Sequence, residues 1–491
     1  MHDGLLLVID EGTTSTRAML FDSAGQCFGV ARADITQSWP ASGHVEQDAQ
    51  EIWDKTLSCV REVVGNAPDP KHIRALGITN QRETVVFWDR LTGKPLAPAI
   101  VWQDRRTADA CNALRHAGHE PLVRQRTGLL LDPYFSASKI RWALDHWPAL
   151  KEAGDRLAVG TVESYLIHRL TGGLHISDAT NASRTALMDI HRGQWDDDLL
   201  ALFGVDRRLL PEIVDTIGQF GTVDPAHFGL ALPICGLAGD QQAAAIGQNC
   251  LAPGRSKATY GTGAFILSPT GTTAVESANR LLTTIGWQAN GQRHYALEGS
   301  IFVAGSLIQW LRDTLGLLGA AAETAELAQS VPDTGGVYMV PAMTGLGAPH
   351  WRPDVRGMIS GLSFGAGRAH IARAALEAMA YQTRDLQAAF AADCAPWTQL
   401  RIDGGMAAND WMAQDIADIL DMPVTRPAFV ETTAKGAAML AAVGAGLFPT
   451  LEDACAAMEG PSSSFTPKLD GDVRASRLEG WDAALAGLLG E

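Results

Sequence analysis

Several things are missing from this 491-residue sequence, and each absence excludes something. Basic residues are in deficit: 39 Lys and Arg stand against 55 Asp and Glu, a formal net charge of −16. Nucleic-acid binders and polybasic membrane proteins need clustered cations to offset phosphate, so both classes are disfavoured. The seven cysteines are scattered with no Cys-x-x-Cys pair, which fits reduced thiols in a cytoplasmic protein. Long apolar runs are also lacking. Leu5–Ile9 is too short for a signal peptide and is closed by Asp10, and Gly436–Phe448 falls well short of the ~20 residues that cross a bilayer. No Gly-x-x-x-x-Gly-Lys-Ser/Thr is present, so a P-loop is excluded.

What is there is a well-filled interior, with 46% hydrophobic residues, and a length that exceeds one core and predicts two lobes. Apolar runs at Leu5–Ile9, Ala18–Phe21 and Cys27–Ala31 predict an opening β-meander. Strands at 75–79, 85–88, 100–102 and 157–160 then alternate with helical patterns at 50–64 (opened by Asp48), 104–116 and 162–170. This is the signature of an α/β sheet with functional residues at strand ends. The second half repeats the plan loosely: a hairpin over Lys257–Leu267, a strand at Tyr295–Glu298, a helix over Ile301–Leu315, and a strand at Leu400–Asp403 running into a helix that ends at Leu420. The predicted boundary lies near Gln248, before Pro253-Gly254, giving lobes of 1–248 and 249–491. The tail from Ser462 offers no interpretable pattern.

Two polar, glycine-containing turns stand out. Asp10-Glu-Gly-Thr-Thr-Ser-Thr-Arg17 combines a strand-end carboxylate, a glycine, hydroxyls and a guanidinium, which suits a magnesium-bound polyphosphate. Tyr260-Gly-Thr-Gly263 offers free backbone N–H groups in a tight turn. Between them Asp240 sits where an apolar strand hands over to an Ala-rich helix. Alone, such an Asp is an N-cap and such a Gly-Thr-Gly is a hairpin turn; as a pair, the two loops suggest a nucleotide phosphate clasped from both lobes. Arg82-Glu83, beyond a strand end, could donate to and accept from neighbouring hydroxyls of a polyol, with Trp102 and Tyr134 as walls. Solvated surface and core packing are the ordinary alternatives for these four. Asp403-Gly-Gly405-Met-Ala-Ala-Asn409 is a glycine entry to a helix that a flat adenine or ribose could approach.

These motifs, with Gly77-Ile-Thr-Asn-Gln-Arg-Glu-Thr84, Ile100-Val-Trp-Gln-Asp-Arg-Arg-Thr107, Gly239-Asp-Gln-Gln-Ala243, Thr259-Tyr-Gly-Thr-Gly263, Trp310-Leu-Arg-Asp313 and Tyr134-Phe-Ser-Ala-Ser-Lys139, resemble the FGGY carbohydrate kinase family over nearly the whole chain. The resemblance implies two actin-like (ribonuclease H-like) α/β lobes around a central cleft, and ATP-dependent phosphorylation of glycerol to sn-glycerol 3-phosphate. By that likeness Asp240 is the general base. Arg82, Glu83, Tyr134 and Gln241 hold hydroxyls, and Trp102 and Phe265 pack on the carbons. Thr13, Thr14, Ser15, Arg17, Thr262, Gly305, Gln309, Gly405 and Asn409 surround the nucleotide, and Asp10 with Asp240 positions Mg2+. A homodimer or homotetramer is also implied. The alternatives are a kinase for another small polyol or ketose, or an actin-like ATPase acting on protein partners.

Two departures matter. Glu11 stands where most family members that act on glycerol carry Gln, and is expected to add a negative charge beside the phosphates. Phe228–Leu232 lacks an arginine that some bacterial relatives use to bind an inhibitory sugar bisphosphate, so that regulation is not expected. His227 lies in a stretch that loosely resembles a loop phosphorylated on histidine in other relatives, and is more simply ordinary surface or core.

Overall fold

The computed structural model describes residues 4–352 and 354–490. Its frame is two mixed sheets. The first contains β1 (Leu5–Glu11), β2 (Ser15–Phe21), β3 (Cys27–Asp34), β4 (Ile73–Asn80), β5 (Ile217–Thr222) and β6 (Pro233–Gly239), in the order β5-β6-β4-β1-β2-β3. The second contains β7 (Arg255–Tyr260), β8 (Ala264–Gly271), β9 (Leu282–Ala289), β10 (Gln292–Ile301), β11 (Gln399–Asp403), β12 (Val424–Pro427) and β13 (Ser462–Phe465), in the order β13-β12-β11-β7-β8-β10-β9. Apart from β9 the two match strand for strand: an antiparallel meander, two parallel additions, and an antiparallel edge. The repeat is therefore closer than the sequence suggested.

β1 is buried along its whole length because both faces of its sheet are covered. Leu5, Leu7 and Ile9 pack into the cluster that includes helix α1 (Ala49–Gly65), whereas Leu6 and Val8 pack against Ala434–Ala442. This two-residue alternation fixes where the next two side chains go. Asp10 continues the even face and Glu11 the odd one.

The residues covering the even face come from the other end of the chain. Helix α6 (Thr432–Gly444) crosses helix α2 (Asp240–Gly247) in backbone contact: a Cβ on Gly247 would lie 2.0 Å from the Thr432 carbonyl oxygen, and one on Gly436 1.8 Å from that of Ala243. Only glycine permits that approach. The first sheet thus rests on a helix from the second half, and the two halves are joined through α2 and α6.

Several predicted elements shift. The helix expected over Ile301–Leu315 is α3 (Gly305–Asp313), because β10 continues to Ile301. The helix expected from Asp104 begins at Ala108, and Trp102 lies just beyond the short strand Ala99–Ile100. A 26-residue helix, α4 (Arg368–Asp393), and the strand β9 were not predicted. The tail is structured too, as β13 and helix α7 (Gly471–Leu489). Among the described residues no helix is long and apolar enough to cross a membrane.

Candidate active site

Parallel pairing lines up the strand ends that carry the motifs. Glu11 of β1 stands beside Asn80 of β4, and Asn80 beside Gly239 of β6, so the 12–14 turn, the Arg82-Glu83 turn and Asp240 leave one edge of the first sheet together. In the second sheet Thr259 of β7 pairs with Asp403 of β11, which puts the 261–263 turn beside Gly404-Gly405. Carboxyl ends of strands are where open α/β sheets place ligands.

Asp240 opens α2 with its side chain 32% exposed. Its Oδ1 accepts from the Gln241 backbone N–H at 2.7 Å and lies 3.2 Å from Arg82 Nε. Arg82 is buried and spans the site: Nη1 donates to Glu298 Oε2 at 2.6 Å and to Gln242 Oε1 at 3.2 Å, and Nη2 to the Tyr134 hydroxyl at 3.4 Å. Glu83 has φ +62°, a left-handed conformation that costs a non-glycine residue about 1–2 kcal/mol. That kink brings two consecutive side chains to one cluster, which an extended strand would send to opposite faces.

The cluster is completed by two residues the sequence did not single out. Arg184 donates from Nε to Glu83 Oε1 at 2.6 Å and from Nη2 to Glu298 Oε1 at 2.7 Å, and all four side chains are buried. Burial raises the Glu83 carboxyl, opposed by Arg184 and Arg82. Glu298 is pushed the same way by burial, but facing both guanidiniums it is held down at about 2. Two cations and two anions balance, which is what makes so much buried charge tolerable.

Aromatic rings wall this end. Trp102 meets Tyr134 edge-on at 5.6 Å between centroids and Phe265 at 6.1 Å, so the wall takes rings from both halves of the chain. Trp102 Nε1 donates to Thr13 Oγ1 at 2.9 Å, tying the wall to the first glycine turn. Gln241 packs beside Asp240, and its Oε1 accepts from Lys257 Nζ, another residue missed from sequence.

At the other end the lining is more open. Thr14, Thr262 and Gln309 are exposed, and Ser15 is buried at the start of β2. Gly305 begins α3 with its N–H bonded to the Gly261 carbonyl at 2.9 Å; a Cβ there would come within 2.5 Å of that oxygen. Gly405 has open space where a Cβ would be, and Asn409 caps helix α5 (Asp410–Leu420) by accepting from Met412 N–H. Arg17 sits across β1–β2 from Asp10 and pairs with it at 3.5 Å, and with Glu431 at 2.6 Å. Burial first, then Glu431 and Asp240 against the opposing Arg17, raise Asp10 to about 7.

The Glu11 side chain does not point into the 12–14 turn. It is fully buried on the α1 side, where Thr56 donates to Oε2 at 2.8 Å, and burial lifts its carboxyl to about 8. The expected extra charge is instead a core acid, as strand alternation requires. His227 bonds the Arg169 carbonyl through Nε2 at 2.9 Å and packs edge-on against Trp53, a structural placement.

Residues 5–247 match the N-terminal domain, and 256–445 the C-terminal domain, of the FGGY family of carbohydrate kinases. The chain belongs to this family. Among its relatives, a glycerol kinase from Methylobacterium nodulans is 54% identical over 497 residues, covering 99% of this chain and 98% of the relative. A glycerol kinase from Rhodospirillum rubrum is 54% identical, covering 98% of each. The crystal structure of Plasmodium falciparum glycerol kinase with ADP superimposes with a TM-score of 0.93 at 35% identity, over 99% of this chain and 98% of that one. A xylulose kinase from Rhodospirillum rubrum gives 0.87 at 28% identity, with 99% of each chain covered. The paired sheets of this FGGY kinase are accordingly the two actin-like lobes expected from sequence.

Proposed function

We propose that this FGGY kinase transfers the γ-phosphoryl group of ATP to glycerol, giving sn-glycerol 3-phosphate and ADP, with Asp240 as general base. The observation that carries this is the state of the Asp240 carboxylate. Oδ1 is held by Arg82 and the Gln241 N–H, while Oδ2 meets no protein donor among the described residues on a partly exposed side chain. A hydroxyl presented to Oδ2 gives up its proton there as its oxygen bonds to the γ-phosphorus and the bond to the ADP oxygen breaks. Phosphoryl transfer asks the protein mainly for positioning and charge stabilisation, so one aligned base with preset donors is sufficient equipment.

Arg82, Glu83, Tyr134 and Gln241 hold the hydroxyls, with Trp102 and Phe265 against the carbon chain. Thr13, Thr14, Ser15, Arg17, Thr262, Gly305, Gln309, Gly405 and Asn409 enclose the nucleotide. The donor set also fits Mg2+. Among the described residues no three His, Cys, Asp or Glu side chains form a full cage, but magnesium is typically held by one or two carboxylates with phosphates and water. Asp10, raised by burial and by Glu431 and Asp240, is such a carboxylate. With Asp240 it would hold the ion, which supplies charge neutralisation on the phosphate oxygens. All seven cysteines are free, which supports a cytoplasmic setting.

The test is ADP release by the purified protein with ATP and Mg2+, with glycerol compared against erythritol, dihydroxyacetone and pentuloses. Glycerol should give the highest kcat/KM. ADP release that does not depend on glycerol would sink the proposal, and a preference for another polyol would reassign the substrate.

A further inference from the structure

Lys257 lies on β7 and is fully buried, a rare place for a lysine. Its Nζ donates to Gln241 Oε1 and, at 3.0 Å, to Thr259 Oγ1. The charged groups facing it are Asp403, Asp240, Arg82 and Glu298, so it sits between the adenine-side strand end and the proposed base. An ammonium carries three donors and no acceptor. The side-chain amide beside it must therefore present oxygen and cannot be flipped without setting N–H against N–H. Gln241 is fixed at its other end as well, through its backbone N–H on Asp240. Its Nε2 meets no protein acceptor among the described residues.

Resting on the assignment of Gln241 to the polyol, we infer that Lys257 is a positioning residue for substrate recognition: by holding Gln241 Oε1 it commits Nε2 to donate to a hydroxyl oxygen of the polyol. An amide free to flip could offer either its oxygen or its N–H groups, and would distinguish hydroxyl arrangements less well. The competing role is purely structural, a cation that offsets Asp403 in the core. The two differ in one respect: a positioning role works through Gln241, and a structural one does not.

The experiment is a double-mutant cycle on kinase activity at saturating ATP, with wild type, Lys257→Met, Gln241→Met and the double variant. Glycerol, propane-1,2-diol and propane-1,3-diol are compared as acceptors. Loss of one oriented hydrogen bond predicts that Lys257→Met raises the KM for glycerol about tenfold and narrows the preference for glycerol over the two diols. In the Gln241→Met background the same change should cost less than about twofold. Equal costs in both backgrounds, or a fall in kcat with KM and diol preference unchanged, would overturn the inference. If Lys257→Met is too unstable to purify, Lys257→Gln, a neutral side chain able to donate or accept, goes through the same cycle under the same criterion. A wild type without glycerol-dependent ADP release removes the activity and this inference together; additive costs in an active wild type remove the inference alone.

Discussion

Around Arg82 the cleft is made of buried charge: Glu83, Arg184 and Glu298 complete a set whose guanidiniums and carboxylates answer one another at 2.6–2.7 Å. Around Thr262 and Gly405 it is made of exposed hydroxyls, glycine turns and backbone. The contrast suits the proposed ligands. A small polyol offers only hydroxyls, and a rigid, desolvated array of donors and acceptors is what discriminates among hydroxyl patterns. A nucleotide brings its own charge and large surface, so shape and free N–H groups suffice, and an open end lets product leave. Asp240 lies where the two meet.

The sharpest test of that division is Asp240→Asn. An amide keeps the hydrogen-bond geometry but cannot take the proton, so kcat should fall by about 10²- to 10⁴-fold. Affinity for nucleotide without Mg2+, measured by calorimetry, should stay close to wild type, and so should the thermal midpoint, because the side chain is partly exposed. Near-normal turnover would remove Asp240 from the chemistry.

Next in size is Arg184→Met. It strips Glu83 and Glu298 of their hydrogen-bonded Arg184 partner, and breaking a buried charge set costs about 3–5 kcal/mol. Chemical denaturation should show this loss, along with a raised KM for glycerol and a nearly unchanged KM for ATP. Equal effects on both substrates would mean that the two ends are not separately built.

How much of this was legible in the sequence depends on distance along the chain. The strand ends, the two glycine turns and Asp240 are local patterns; parallel pairing lines up the first turn with Asp240 in one sheet and the second turn with Gly404-Gly405 in the other. Arg184 and Glu298 were missed because their partners lie far away in sequence, Glu83 being 101 residues from Arg184 and Arg82 216 from Glu298; Lys257, only 16 residues from Gln241, was missed because its strand reads as polar. A signal was present for Glu298, a charge directly after the apolar Tyr295-Ala-Leu297 of a strand, which a folded chain tolerates in its interior only with a partner. The tail lacked even that. β13 is a serine-rich edge strand, and α7 buries only Trp481, Ala484 and Leu485, too few for a helical stripe to stand out.

At the open end, Gly405→Ala should leave the thermal midpoint unchanged, since nothing lies within 4 Å of the added Cβ. If the nucleotide is read by close approach to this backbone, the KM for ATP should rise by about 3- to 10-fold, the loss of roughly 1 kcal/mol of contact. The KM for glycerol should not move. An unchanged KM for ATP would place the nucleotide elsewhere.

The smallest expected effect on activity comes from Glu11→Gln, and it tests whether neighbouring residues on β1 truly part company. Glu11 has its folded-state value raised from 4.5 to about 8 by burial. The stability its neutral form contributes is therefore complete below pH 4.5 and is lost as pH rises towards 8. Glutamine cannot ionise, so the variant should gain on wild type across that window by at most about 1.4 kcal/mol per pH unit, read from denaturant midpoints at pH 5 and pH 8. Because the Glu11 side chain faces α1, on the opposite side of β1 from Asp10, kcat and the KM for ATP should stay within about twofold at either pH. A large change in the KM for ATP with no pH-dependent stability gain would put Glu11 back beside the phosphates and break the alternation on which the placement of Asp10 also depends.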